Sequence, residues 1–289
     1  MNDATPGWLR LLELAPSSDR FLEDVLEGLS RRQKQIPAKY FYDETGARLF
    51  EAICELPEYY VTRTETAMMK AYARQMASLV GECSALIEYG SGASTKTRFL
   101  IEAAKPALYM PIDISREALV SAARALLEEY PWLSVWAVHT DYSLPFELPE
   151  APWVNRRVIY FPGSTIGNFT PEEALAFLRG ARAVAGGSGA MLIGVDLKKS
   201  KATLDAAYDD AQGATAAFNL NLLTRINREL QADFNLTRFR HFACYKAAQS
   251  RVEMHLVSTK NQRVSVAARS FEFREGETIH TENSYKYTV

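Results

Sequence analysis

Three acidic side chains, each following a short apolar run, carry the chemistry that this sequence suggests. Glu88 follows Leu86-Ile87, Asp113 follows Leu108-Tyr109-Met110-Pro111-Ile112, and Asp141 lies just beyond the run from Leu133 to Ala137. After the first acid come Tyr89-Gly90-Ser91-Gly92-Ala93-Ser94-Thr95-Lys96 and then helix-forming sequence. Two glycines let the backbone turn sharply and admit a ligand to the main chain, and a helix begins with N–H groups that have no partner inside it. Strand, tight turn and helix in this order make a nucleotide-type site. A dinucleotide fingerprint would carry a third glycine where Thr95 stands, and Glu88 would repel the pyrophosphate. Near the ammonium end of a methionine-like cofactor the same charge is favourable. Asp113 is spaced to grip both ribose hydroxyls, while Asp141 and Tyr142 could hold an adenine amine and cover its ring. The ordered set points to S-adenosylmethionine. The competing reading is a doubly wound sheet whose strands end in polar caps; a nicotinamide oxidoreductase is disfavoured by Glu88 and Thr95.

These residues need a parallel sheet with helices between its strands. A helix from about Glu65 to Val80 precedes the glycine loop, and a second, from Arg116 to Glu129, has Ser115 as its N-cap candidate. The strand Val158-Ile159-Tyr160-Phe161 runs into Pro162-Gly163-Ser164-Thr165-Ile166-Gly167-Asn168-Phe169, followed by a helix from Pro171 to Ala185. In such sheets ligands sit outside the carboxyl ends of the strands, where the strand order reverses. This loop would therefore face the transferable group, with Gly163 offering an exposed backbone and Asn168 an amide for a carboxylate or an amine; alternatively, the glycine makes a turn and Asn168 caps the helix. A fifth strand, Ala190 to Val195, closes with Asp196. Residues 7 to 35 read as two amphipathic helices, one with Leu9, Leu11, Leu12 and Leu14 and one with Phe21, Leu22, Val25, Leu26 and Leu29, with N-cap candidates Ser17, Ser18 and Asp19 between them. Pro37 to Arg63 is rich in tyrosine, phenylalanine and proline, which suits either a pocket for a small flat polar ligand or an aromatic lid over the sheet. After Asp196 come one or two helices, Thr203 to Leu230, and three β-like segments at Phe239 to Tyr245, Arg251 to Ser258 and Val264 to Phe273, read as an inserted antiparallel lobe.

The chain has 289 residues, 47% of them hydrophobic, and a formal net charge of -2, so it can bury a large core and has no basic excess of the kind nucleic-acid binders use. Three scattered cysteines and four scattered histidines form no metal-ligand spacing, and reduced thiols fit a cytoplasmic protein. Neither a leader sequence nor a membrane-spanning run is expected.

The block from Lys39 to Glu65, the loop Gly163-Ser164-Thr165-Ile166-Gly167-Asn168, the helix start Ala207-Tyr208-Asp209-Asp210 and the late Glu282-Asn283-Ser284-Tyr285-Lys286 together resemble the histidine Nα-methyltransferases of ergothioneine biosynthesis. The resemblance covers nearly the whole chain. It implies an α/β fold, a Rossmann-like class I methyltransferase sheet with a second α+β substrate-binding lobe built from the N-terminal segment and a late insertion. The boundaries it implies are 61–196 for the S-adenosylmethionine-binding domain, 1–60 with 197–286 for the substrate lobe, and 287–289 as the start of a C-terminal segment otherwise absent. The implied reaction is trimethylation of the histidine α-amine to hercynine, in a pocket between the domain and the lobe. By motif, Asn168 and Tyr208 would hold the substrate carboxylate, Gly163, Tyr42 and Tyr59 would frame the amine, Glu282 and Ser284 would bind the imidazole, and Phe50 and Met254 would line the pocket. Glu88, Gly90, Gly92, Lys96, Asp113, Asp141 and Tyr142 would surround the cofactor. A monomer with L-histidine as its small-molecule partner, without metal, nucleic acid or membrane, completes the expectation. The alternatives are a methyltransferase of this fold acting on another amino acid or small amine, and a cofactor-binding protein without catalysis. The imidazole assignment has its own chemical logic: a neutral ring has one N–H and one acceptor nitrogen, so a carboxylate and a hydroxyl two residues apart on an extended segment can serve both.

Overall fold

The computed structural model describes residues 7–14, 20–81, 83–92 and 94–289. In chain order its elements are β1 (Leu9–Glu13), α1 (Arg20–Ser30), β2 (Lys34–Gln35), α2 (Glu44–Glu55), α3 (Tyr60–Val80), β3 (Ser84–Tyr89), α4 (Thr97–Ala104), β4 (Leu108–Asp113), α5 (Arg116–Glu129), β5 (Val135–His139), β6 (Arg156–Phe161), α6 (Pro171–Ala185) and β7 (Ala190–Ile193). There follow α7 (Lys201–Tyr208), α8 (Ala214–Leu230), β8 (Phe239–Lys246), β9 (Arg251–Ser258), β10 (Gln262–Val266), β11 (Arg269–Phe273) and β12 (Thr278–Tyr285). They gather into two compact units, one of residues 7–14, 64–165 and 171–194, the other of 20–63, 166–170 and 195–289.

The first unit is a six-stranded parallel sheet in the order β1-β5-β4-β3-β6-β7. All six residues of β3 and the first five of β4 are buried, as expected of strands covered on both faces. The chain builds outward from β3 through β4 to β5, then returns to β3's other side with β6 and β7, so the order reverses between the neighbouring strands β3 and β6. This is the switch point at which ligands of such sheets bind.

One expectation is overturned here. The segment bearing Leu9, Leu11, Leu12 and Leu14 is a strand, not a helix: β1 runs parallel to β5 from Leu9 opposite Val135 to Glu13 opposite His139. Pairing at a sheet edge outweighs the helical reading of four leucines in six residues. Arg10 reaches over the Trp136 ring at 5.0 Å, and Glu13 accepts from Arg116 Nε at 2.7 Å and lies 2.6 Å from His139 Nδ1, fixing both ends of the strand. These residues thus belong to the parallel sheet and not to the lobe assigned to 1–60. The N-cap candidates Ser17, Ser18 and Asp19 lie outside the described residues.

The second unit holds a four-stranded sheet, β2-β12-β9-β8, antiparallel except where β2 joins β12, and a separate β10–β11 hairpin. That hairpin replaces the single segment expected over Val264 to Phe273; its turn is made at Ala267, whose φ is +50°. Phe218, Leu222, Leu223 and Ile226 of α8 pack with Val252, Met254 and Leu256 of β9 and Ile53 of α2 in one buried cluster. Asp43 caps α2 by accepting the Gly46 N–H at 2.7 Å, and Asn221 and Arg228 of α8 donate to the same carboxylate at 2.8 and 2.7 Å. Among the described residues no helix is long and apolar enough to cross a membrane.

Candidate active site

In the first unit the glycine loop is tied to β4. The Gly90 and Ser91 N–H groups donate to the Ile112 carbonyl at 2.8 and 3.1 Å, and the Gly92 N–H donates to Asp113 Oδ2 at 2.9 Å. Gly90 and Gly92 have φ of +69° and +49°, the left-handed region that favours glycine. A Cβ at Gly90 would also come 3.3 Å from the hydroxyl of Tyr142, whose ring stacks on Tyr89 at 5.6 Å. The other Asp113 oxygen accepts the Ser115 N–H at 2.9 Å, and burial pushes this carboxyl upward in spite of its backbone donors. Asp141, also buried, accepts the Ser143 N–H at 2.9 Å. Ser91 Oγ is buried without a hydrogen-bond partner, while the space around Gly92 is open. An orphaned hydroxyl, an open main chain and carboxylates at successive strand ends fit a polar, ribose-bearing cofactor.

Glu88 lies beneath this loop, 2% exposed. Thr97 donates to its carboxylate at 2.6 Å, and the Tyr109 hydroxyl donates as well. Burial pushes the Glu88 carboxyl up to about 7, against the pull of those two donors. The side chain thus ties β3 to both β4 and α4. Lys96 pairs with Glu65 of α3, and the second oxygen of Glu65 accepts the Gly163 N–H at 2.7 Å. Gly163, at φ +76°, would bring a Cβ within 3.3 Å of Thr165 Oγ1 and 3.8 Å of Lys96 Nζ. Glu65 therefore joins the helix after the glycine loop to the loop after β6. Sequence reasoning left it as an ordinary first-turn residue of a helix, and its only signal is its place at the end of the aromatic block.

In the second unit the position of one bulge decides what β12 presents. His280 pairs with His255 of β9, but the register then shifts, and Glu282 pairs with Met254 and Ser284 with Val252. Residues 280, 282 and 284 would share one face of a regular strand. The bulge at Thr281 instead moves Glu282 and Ser284 to the face of Met254 and Val252, away from His280. Thr281 Oγ1 holds the turn by donating to the Met254 carbonyl at 3.1 Å. Gly167 packs tightly on the end of this strand: a Cβ there would lie 2.9 Å from the Tyr285 carbonyl oxygen. The neighbouring Asn168 amide nitrogen can then donate to Glu282 Oε1 at 3.3 Å and to the Asn283 carbonyl at 3.0 Å. Burial pushes the Glu282 carboxyl up to about 7, with Lys286 and Asn168 working against it.

Around this strand stands an aromatic wall. Tyr42 meets Phe50 at 5.7 Å, Phe50 meets Tyr59 at 6.1 Å, and Tyr59 meets Tyr208 at 6.1 Å, all edge to face. The Tyr208 hydroxyl lies 2.6 Å from Ser284 Oγ. Burial, and then the nearby Tyr208, push the Tyr59 hydroxyl far up, so it stays protonated. The structure thus brings Tyr42, Phe50, Tyr59, Asn168, Tyr208, Met254, Glu282 and Ser284 together in the second unit, and Glu88, Gly90, Gly92, Lys96, Asp113, Asp141, Tyr142 and Gly163 in the first. Besides Glu65, sequence reasoning missed Lys286, Asp196 and Tyr60. Asp196, read as the acid closing the fifth strand, stands beyond the end of β7 at Ile193, and its carboxylate accepts from Tyr60 at 2.6 Å and pairs with Lys286 at 3.0 Å.

Residues 21–289 match the family described as histidine-specific methyltransferase, SAM-dependent. The chain is 40% identical over 277 residues to the histidine N-alpha-methyltransferase of Mycolicibacterium smegmatis, a match covering 94% of this chain and 85% of that protein. To the histidine N-alpha-methyltransferase of Mycobacterium tuberculosis it is 40% identical over 270 residues, 91% of this chain and 83% of the relative. Ergothioneine biosynthesis protein 1 of Neurospora crassa is 36% identical over 200 residues, which are 67% of this chain and 23% of that larger protein. With a parallel sheet that switches order beside a glycine loop, and a family match running from α1 to the last residue, the chain belongs to the histidine-specific, S-adenosylmethionine-dependent methyltransferases.

Proposed function

We propose that this protein transfers methyl groups from S-adenosylmethionine to the α-amine of L-histidine, three times over, giving hercynine in the biosynthesis of ergothioneine. The observation that carries this reading is the pairing of Glu282 and Ser284 on the Met254 face of β12, beside Asn168 and Tyr208, in a chain of this family. A carboxylate and a hydroxyl on one face suit the two nitrogens of a neutral imidazole. Phe50 and Met254 supply the apolar lining, and Tyr208 with Asn168 supplies polar contacts for the amino-acid carboxylate. Tyr42 and Tyr59 frame the amine.

The cofactor, when bound, supplies an electrophilic methyl group on a sulfonium. Asp113 would hold the ribose, Asp141 and Tyr142 the adenine, and Gly90, Gly92 and Lys96 the amino-acid end, with Glu88 bracing the loop from below. The residues around the amine need do little covalent work. They would hold a deprotonated amine in line with that methyl group and keep water away, so positioning dominates the rate. Hydroxyls around the nitrogen can hand its proton on toward water between successive transfers.

Mass spectrometry of histidine incubated with the protein and S-adenosylmethionine, beside the other common amino acids, tests the proposal. Three added methyl groups on histidine alone are expected. Methylation of a different amino acid would overturn the imidazole assignment, and cofactor binding without transfer to any amine would overturn the catalytic reading.

A further inference from the structure

Lys286 is a buried cation that none of these roles uses. Its side chain is 0% exposed. The ammonium has three N–H donors and no acceptor, and three oxygens surround it: Ser284 Oγ at 2.8 Å, the Tyr208 hydroxyl at 2.9 Å and Asp196 Oδ2 at 3.0 Å. The group is pinned from several directions. Asp196 also accepts from Lys199 at 2.6 Å and from the Tyr60 hydroxyl at 2.6 Å. The Lys286 N–H donates to the Ser250 carbonyl at 2.7 Å, and the next N–H, of Tyr287, donates to the Asp196 carbonyl at 2.9 Å. Burial alone would lower the pKa of this lysine; Tyr208 and Asp196 reverse that and keep it charged.

Tyr208 and Ser284 each accept one hydrogen bond from Lys286, and their oxygens lie 2.6 Å from one another. Without a ligand, one of their two hydroxyl protons lies between them. A ligand that brings an acceptor to each oxygen can draw both protons outward, and neither oxygen is then left bare, because Lys286 still donates to both. Were the lysine missing, turning both hydroxyls outward would leave two oxygen atoms facing each other across a short gap.

We propose that Lys286 is a positioning residue: by holding one acceptor position on both Tyr208 and Ser284 it makes both hydroxyls donors, and so selects a substrate that offers an acceptor to each. Resting on the histidine reading above, those acceptors are a carboxylate oxygen at Tyr208 and the unprotonated ring nitrogen at Ser284. Glu282 then takes the ring N–H. The protein thereby distinguishes a neutral imidazole from rings that have no acceptor nitrogen.

The test is a double-mutant cycle. Lys286→Met is combined with Asp196→Asn, so that no buried charge is left without its partner. Histidine KM and kcat, S-adenosylmethionine affinity by calorimetric titration and the thermal midpoint are compared with wild type. The histidine KM should rise about tenfold or more, the loss expected for hydrogen bonds no longer held in direction, with cofactor affinity unchanged. In a Ser284→Ala background the same pair of substitutions should add less, because only the part of the lysine's action that passes through Tyr208 remains. Equal losses in both backgrounds, or parallel losses of histidine and cofactor binding, would assign Lys286 a purely structural role. If Ser284→Ala raises the histidine KM while the lysine pair leaves it unchanged, this inference fails and the imidazole assignment survives. If Ser284→Ala itself changes nothing, the imidazole assignment fails first. Should the double variant not fold, Lys286→Arg keeps the charge but shifts its donors; a raised histidine KM with normal cofactor binding is expected, and an unchanged KM overturns the proposal.

Discussion

Glu282→Gln keeps the shape of the side chain and an acceptor oxygen for Asn168, and removes only the charge. The Glu282 carboxyl is pushed up to about 7 from an ordinary 4.5, so it prefers to remain protonated in the folded, ligand-free protein. Below the lower value the group carries its proton in both the folded and the unfolded chain, and Glu and Gln contribute equally. As pH rises past it, the unfolded chain ionises while the folded one resists, and the stability contributed by the protonated group is lost, completely so above about 7. The gap corresponds to on the order of 3 kcal/mol, lowered to about 2 kcal/mol if water reaches the part-exposed side of the group. Urea denaturation of the ligand-free proteins should therefore find the Gln variant more stable than wild type by about 2–3 kcal/mol at pH 8 and equal to it near pH 4.5. Histidine titration at pH 8 should show the reverse, a loss of about tenfold or more in affinity, since the carboxylate acceptor for the ring N–H is gone. The same stability difference at both pH values would refute the claim that charge is its origin. Undiminished histidine affinity would refute the role given to Glu282.

Two further perturbations separate the two units. Asp113→Ala removes the acceptor of the Gly92 and Ser115 N–H groups and should weaken S-adenosylmethionine binding about tenfold or more by calorimetry; unchanged affinity would remove Asp113 from the cofactor site. Gly167→Ala places a Cβ 2.9 Å from the Tyr285 carbonyl, so β12 and Asn168 must separate by a few tenths of an ångström; the histidine KM should rise roughly tenfold, in line with the cost of misplacing a binding group, while cofactor affinity holds, and an unaltered KM would show that this contact does not set the site.

The strands of the first unit were legible because a covered parallel strand must be apolar along its length, and each run ends where a polar residue can reach the sheet edge. Leu86 to Glu88 and Leu108 to Asp113 have that form, and both are strands. The first leucines had no such signal. Four of them in six residues satisfy helix and strand alike, and pairing with β5, more than a hundred residues away, makes the choice. The bulge at Thr281 was equally hidden. Glu282 and Ser284 were expected on one face of an extended segment, but no residue type in Thr278–Tyr285 announces that His280 is turned to the other face. Glu65, Asp196 and Lys286 were missed for a common reason. Each acts on residues distant in sequence, Glu65 on Lys96 and Gly163, Lys286 on Tyr208 and Asp196 as well as on nearby Ser284, and local spacing carries no trace of the distant contacts.

Two of these residues share a physical task with Glu88. Glu88, Glu65 and Lys286 each bind at least two groups at once, and each does so where burial makes an unsatisfied charge costly. A methyl transfer to an amine asks for an aligned lone pair and a dry site more than for a strong base, and Tyr59, kept protonated by its surroundings, is unsuited to proton abstraction near neutral pH. Rate then depends on how little the surrounding dipoles must move when substrate arrives. Glu65 holds the Gly163 backbone through its N–H, and Lys286 donates to the oxygens of Tyr208 and Ser284, so each of these three residues is held from behind by a charged side chain. Such groups can turn toward a ligand without losing the bonds behind them, and that lowers the reorganisation that recognition would otherwise require.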